Sequence, residues 1–128
     1  MKIRHFGGVK FAACENELTE ILTQRYGNGV NEFWITEDDQ DNPCLAILVN
    51  KELANMTYFP DEYSLGAQSV GGGCGLELDG YTVFYTNTPE EEIEISNNSI
   101  IPLVLALMAA AAFFHNQKMP RCIDWTDN

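Results

Sequence analysis

Basic residues are scarce in this chain of 128 residues. Seven Lys and Arg stand against nineteen Asp and Glu, a formal net charge of −12. From Tyr26 to Gln117 there are fourteen acids and a single base, Lys51. Such a field opposes nucleic acid and anionic membrane as direct partners, and favours a basic partner or cations. Histidine is rarer still, with only His5 and His115. Nucleophilic catalysis needs a base within hydrogen-bond reach of the nucleophile, and Cys122 with His115 is the one pairing to weigh; an inert thiol and a helix-end histidine is the stronger reading. The four cysteines, Cys14, Cys44, Cys74 and Cys122, contain no C-x-x-C, so zinc and dithiol redox signatures are missing. No metal and no cofactor is expected.

An apolar leader is missing too. Phe6-Gly7-Gly8-Val9-Lys10 breaks the stretch after the basic start, so the chain is expected to be cytoplasmic. Long hydrophobic runs are limited to one, "IIPLVLALMAAAAFF", Ile100 to Phe114. As a helix it spans about 22 Å, short of the roughly 30 Å hydrocarbon core. A buried core helix is expected rather than a membrane anchor; a helix apolar on every side needs cover on every side, and a stripe left exposed, such as Val104 and Met108, would mark a contact with a partner or a second copy.

Other candidate chemistries lack a necessary part. The loop "GGGCG" (Gly71 to Gly75) runs into "LELDGY" without a lysine or a helix, so it is no phosphate cradle. The turn "EDDQDNP" (Glu37 to Pro43) groups carboxylates but lacks the glycine of a calcium loop. Glu90-Glu91-Glu92 reads as a solvated start to a strand.

What is present is an alternation of helix and strand patterns in one domain, residues 1–128. Val9 to Ala13 suggests a first strand. "ENELTEILTQRY" (Glu15 to Tyr26) places Leu18, Ile21, Leu22 and Tyr26 on one helical stripe, with acids in the first turns. Strand patterns follow at Glu32–Thr36, Cys44–Val49, Leu53–Phe59, Ser64–Val70, Tyr81–Thr86 and Glu92–Ile95, with short connections that favour antiparallel pairing. Asn97-Asn98-Ser99 and Pro102 suit the start of the apolar helix, and "CIDW" (Cys122 to Trp125) a last strand. The expected fold is α+β: a mostly antiparallel sheet of about six strands, an N-terminal amphipathic helix and a buried apolar C-terminal helix.

With no enzymatic constellation, the positive signal is acid interleaved with aromatic side chains. "YFPDEYSLG" (Tyr58 to Gly66) sets Tyr63 beside Asp61 and Glu62. Aromatic anchors next to charges that steer encounter are features of tight protein interfaces. The candidate contact residues are Asp61, Glu62 and Tyr63, then Asp38, Asp39 and Asp41, then Glu77 and Asp79.

An ordered set of segments carries a resemblance. "MTYF" (Met56–Phe59), "SVGGG" (Ser69–Gly73), "VFYT" (Val83–Thr86), "EEIEIS" (Glu91–Ser96), "ALMAAAAFF" (Ala106–Phe114) and "MPRCIDW" (Met119–Trp125) succeed one another. In this order they resemble immunity protein family 1 of bacterial polymorphic toxin systems, over roughly Phe33 to Trp125. The resemblance implies a small non-enzymatic α+β antitoxin. It would bind a cognate toxin, often a nucleic-acid deaminase, and occlude its active site or its substrate groove. The charge leads one to expect a basic groove on that toxin, and the free chain is expected to be a monomer or homodimer. Phe113, Phe114, Pro120 and Trp125 match family positions that look structural. The last helix departs from the family's charged, amphipathic one. Two other readings stay open: a secretion-associated adaptor or chaperone for an effector, and a small hydrolase using Cys122 or Cys74.

Overall fold

The computed structural model describes residues 1–128. Ten strands and two helices run in the order β1 (Lys2–His5), β2 (Gly8–Phe11), α1 (Glu15–Leu22), β3 (Val30–Thr36), β4 (Cys44–Asn50), β5 (Leu53–Phe59), β6 (Ala67–Ser69), β7 (Tyr81–Tyr85), β8 (Glu92–Ser96), β9 (Ile100–Pro102), α2 (Leu103–Asn116) and β10 (Trp125–Asp127). Eight strands form one sheet, ordered β10-β6-β5-β4-β3-β1-β2, with β9 also pairing with β5; β7 and β8 form a separate two-stranded sheet. Every pairing is antiparallel. The expected α+β class and antiparallel sheet are what is found, with more strands than the expected six.

The extra strands have local causes. Strand β1 pairs on both sides, Ile3 facing Lys10 of β2 and Ile35 of β3. Its apolar content is one isoleucine, so partners rather than pattern make it a strand. Ile100 and Ile101 open the long apolar run but do not belong to its helix. They extend the edge of β5, Ile101 opposite Ala54, and Pro102 closes the strand where the helix begins. The last strand lies at Trp125–Asp127 rather than at Cys122–Trp125.

Alternation decides the two faces of the large sheet. Phe33 and Ile35 of β3, Leu45, Ile47 and Val49 of β4, and Met56 and Tyr58 of β5 point to one face, where both helices cover them. Leu18 and Leu22 of α1 and Ala106, Ala109, Ala110 and Phe113 of α2 complete this core. Burying each large side chain contributes about 1.5–3 kcal/mol. The alanines let α2 lie close to the strands.

Two features of the helices differ from expectation. α1 stops at Leu22, four residues early. The Thr23 hydroxyl donates to Glu20 O at 2.6 Å, and Tyr26 leaves the helix to bridge with Val30. α2 is not buried all round: Val104 is 61% and Met108 53% exposed, so an apolar stripe faces outward. The chain has one sheet face and one short helix to set against α2, too little to surround it.

On the opposite face, the β7–β8 hairpin packs against β3 and β4, with Phe84 fully buried. The Asn50 side-chain amide donates to Val83 O at 2.8 Å. The buried Glu32 carboxylate accepts from the Thr86 hydroxyl at 2.6 Å and the Asn87 N–H at 3.1 Å. The hairpin covers only part of that face and leaves the ends of β3, β4 and β5 open.

Candidate functional site

The uncovered part of the sheet is a cleft of about 430 Å³. Alternation puts Trp34 and Thr36 on this face because Phe33 and Ile35 take the core. Register completes the floor. Trp34 faces Ala46 of β4, and Cys44 faces Phe59 of β5. Because β4 contributes only these small side chains, the rings on either side of it meet above them. Trp34 and Phe59 stack with centroids 6.2 Å apart and planes inclined by 18°. Arg4, opposite Trp34 on β1, lies over the indole at 5.8 Å.

The rim is acidic. Asp41 in the β3–β4 turn and Asp61 and Glu62 after β5 line the cleft, with Lys2, Arg4 and Val9 on the other side. The loop after β5 is held in shape. Asp61 Oδ1 accepts from the N–H groups of Tyr63 and Ser64, each at 2.9 Å, and Ser64 Oγ accepts from Gly66 N–H at 2.9 Å. The C-terminal Asn128 amide donates to Leu65 O at 3.0 Å. Gly66 has φ +83, and a Cβ there would stand 2.9 Å from Tyr58 O and from the Phe59 ring, so the loop closes tightly only with glycine. At its tip Tyr63 is 88% exposed.

The fold therefore gathers Asp41 with Asp61 and Glu62, and holds Tyr63 beside them. Asp39 is exposed in the same turn as Asp41. Asp38 turns away: it pairs with the Met1 ammonium at 2.6 Å and lines a separate hollow with Phe11 and Phe114. Glu77 and Asp79 belong to the loop before β7, where Glu77 O accepts from Asn97 Nδ2 at 2.7 Å, and they do not reach the cleft. Sequence reasoning missed the floor, Arg4, Trp34, Thr36 and Phe59. The available signal was period two, which sends Trp34 away from Phe33 and Ile35.

No cysteine is hydrogen-bonded to either histidine. Cys44 lines the cleft, but burial pushes its thiol up to about 11, against the smaller opposing pull of an Ile35 backbone hydrogen bond and of Arg4. It stays a neutral thiol at physiological pH. His115 Nε2 meets Glu15 at 2.7 Å, tying α2 to α1, rather than Cys122. Cys74 has its pKa raised by burial, and its Sγ lies 4.0 Å from Ile100 O. No three His, Cys, Asp or Glu side chains come together as a metal-binding group. No helix is long and apolar enough to cross a membrane.

Together, fold and cleft define a small, strongly acidic α+β protein whose main cleft has an aromatic floor and a carboxylate rim. No family model matches the chain. It is similar to the double-stranded DNA deaminase immunity protein of Burkholderia cenocepacia (strain H111), at 25% identity over 112 residues, which cover 88% of this chain and 87% of that protein. The resemblance read in the sequence thus points to the same kind of protein.

Proposed function

We propose that this protein is an immunity protein, active in the cytoplasm, that binds and neutralises a cognate toxin of the nucleic-acid deaminase type. The observation that carries the proposal is the similarity to a deaminase immunity protein along nearly the whole of both chains. The charge supports it by an independent route. An enzyme that acts on nucleic acid presents a basic groove, and an acidic inhibitor competes for that groove and is steered toward it. In this reading Asp61, Glu62 and Tyr63 make the central contact, and Asp41 joins them across the cleft. Asp39 extends the surface on the turn side, while Asp38, paired with the Met1 ammonium, faces a separate hollow. Glu77 and Asp79 lie apart and add long-range attraction only.

Co-expression with a candidate cognate deaminase toxin tests the proposal. Growth is restored if the chain neutralises the toxin, whereas a secretion adaptor leaves it active. The double variant Asp61→Lys with Glu62→Lys protects poorly and associates more slowly, most visibly at low salt. Unchanged affinity in that variant removes these residues from the contact.

A further inference from the structure

We propose that the cleft floored by Trp34 and Phe59 is a guanidinium receptor that takes one arginine side chain of the partner protein. This rests on the immunity reading for who the partner is, and adds what the contact is made of.

Three observations converge on that ligand. First, a cleft of about 430 Å³ lies in the range of small-ligand sites, so a whole side chain fits. Second, Thr36 lines the cleft, is only 6% exposed, and its Oγ1 has no hydrogen-bond partner. A hydroxyl withdrawn from water keeps lone pairs that an incoming N–H can use. Third, Asp41, Asp61 and Glu62 line the rim and none is in an ion pair; the chain's two ion pairs are Met1–Asp38 and His115–Glu15. Lys2 and Arg4 line the same cleft without closing on these carboxylates. Arg4 lies over the Trp34 ring instead.

Arg4 also shows which cation suits the floor. Its guanidinium rests against the indole, as a planar, weakly hydrated cation does and a compact ammonium does less well. A second guanidinium entering beside the Trp34–Phe59 stack can donate to the Thr36 hydroxyl once rotation about the Cα–Cβ bond turns that hydroxyl into the cleft, while its other N–H groups meet the carboxylates. An apolar occupant would leave Thr36 Oγ1 unpaired and would desolvate the rim acids. An anion would meet three carboxylates against two cations.

The test titrates the 128-residue chain with arginine blocked at both ends as its acetyl and methylamide derivative. The equally blocked lysine and citrulline serve as controls. The indole N–H resonances of Trp34 and Trp125 are followed by NMR; Trp125 donates to Pro120 O outside the cleft and serves as the internal reference. The expected result is a saturable shift of Trp34 alone, about threefold or more tighter for arginine than for lysine and lost with citrulline, which keeps the shape without the charge. The isosteric Thr36→Val variant weakens it about twofold or more, and the combined Asp41→Asn, Asp61→Asn and Glu62→Gln variant about fivefold or more. No saturable shift of Trp34, an equal response to citrulline, or full affinity in the triple variant overturns the proposal. The titration contains no toxin, so its failure is distinct from failure of the growth assay, which overturns the immunity reading.

Discussion

Ser69 on β6 accepts the Met56 N–H of β5 through its hydroxyl oxygen, at 3.1 Å, and donates its own O–H to Ser99 O at 2.6 Å. The arrangement answers a problem set by the fold. One edge of β5 pairs with β9 at Leu53 to Asn55 and with β6 at Thr57 and Tyr58. Met56 falls at the junction of the two ladders, and its N–H needs a partner because it is sealed from water. Asn55 serves the same junction, its amide donating to Ser99 Oγ and to Gln68 Oε1, each at 3.0 Å.

Replacing Ser69 by Ala therefore costs more than one ordinary hydrogen bond, because it strands a buried donor and weakens the hold on Ser99 O. The expected loss is about 1–3 kcal/mol. Chemical denaturation of the variant, with the transition slope checked for two-state behaviour, measures it. A loss no larger than that of an exposed Gln40→Ala control would remove the ladder junction as a source of stability.

The two sides of α2 should answer differently to substitution. Phe113 is fully buried and meets Tyr58 edge-on at 6.2 Å. Phe113→Ala should destabilise by about 3–5 kcal/mol, the range for a large core ring removed. Met108→Gln, on the exposed stripe, should stay within about 0.5 kcal/mol of wild type. Thermal melts of both variants decide whether the apolar run is half core and half surface.

That division marks the limit of what the sequence could disclose. Strand β5 was readable to its ends, because Leu53–Phe59 alternates and is closed by Lys51-Glu52 before it and Pro60 after it. The sidedness of α2 was readable only as a question, with Val104 and Met108 as the stripe to watch, since apolar residues fill every face of Leu103–Phe114 and no pattern marks the buried one. Strand β1 depends on pairing with Ile35 and Lys10, a long-range outcome with little local trace. The acids of the cleft rim were visible as acids. Their convergence was not, because it follows from the register that sets Cys44 against Phe59.

Thiol reactivity should rank the four cysteines by burial and pKa together. Cys14 and Cys122 are exposed, Cys74 is half-buried, and Cys44 is buried with its thiol raised to about 11. Alkylation of the native protein at pH 8 should mark Cys14 and Cys122 first and Cys74 more slowly, leaving Cys44 for the unfolded chain, because the thiolate is the reacting form. Peptide mass spectrometry over time reads the order. Early labelling of Cys44 would mean that the cleft floor opens in solution.

His5 makes stability depend on pH in a direction that can be worked out. The ring is buried beside Tyr26 and Phe33, and its Nδ1 accepts from Gly7 N–H at 3.1 Å, which the neutral imidazole alone can do. Burial, with nearby Lys10 adding, holds its pKa below the ordinary 6.5. Below that value the unfolded chain takes up the proton more readily than the folded one. The His5 contribution is therefore full above about pH 6.5 and is lost as pH falls through the folded-state value. Acid also relieves repulsion among nineteen carboxylic side chains, an effect of the opposite sign. The comparison that isolates His5 is with His5→Asn, whose side-chain oxygen can still accept from Gly7 N–H but does not titrate. Between pH 7 and pH 5 the wild type should lose more stability, or gain less, than this variant in denaturant titrations at each pH. Parallel pH profiles would mean that the ring takes up the same number of protons in both states, and would remove His5 as the cause.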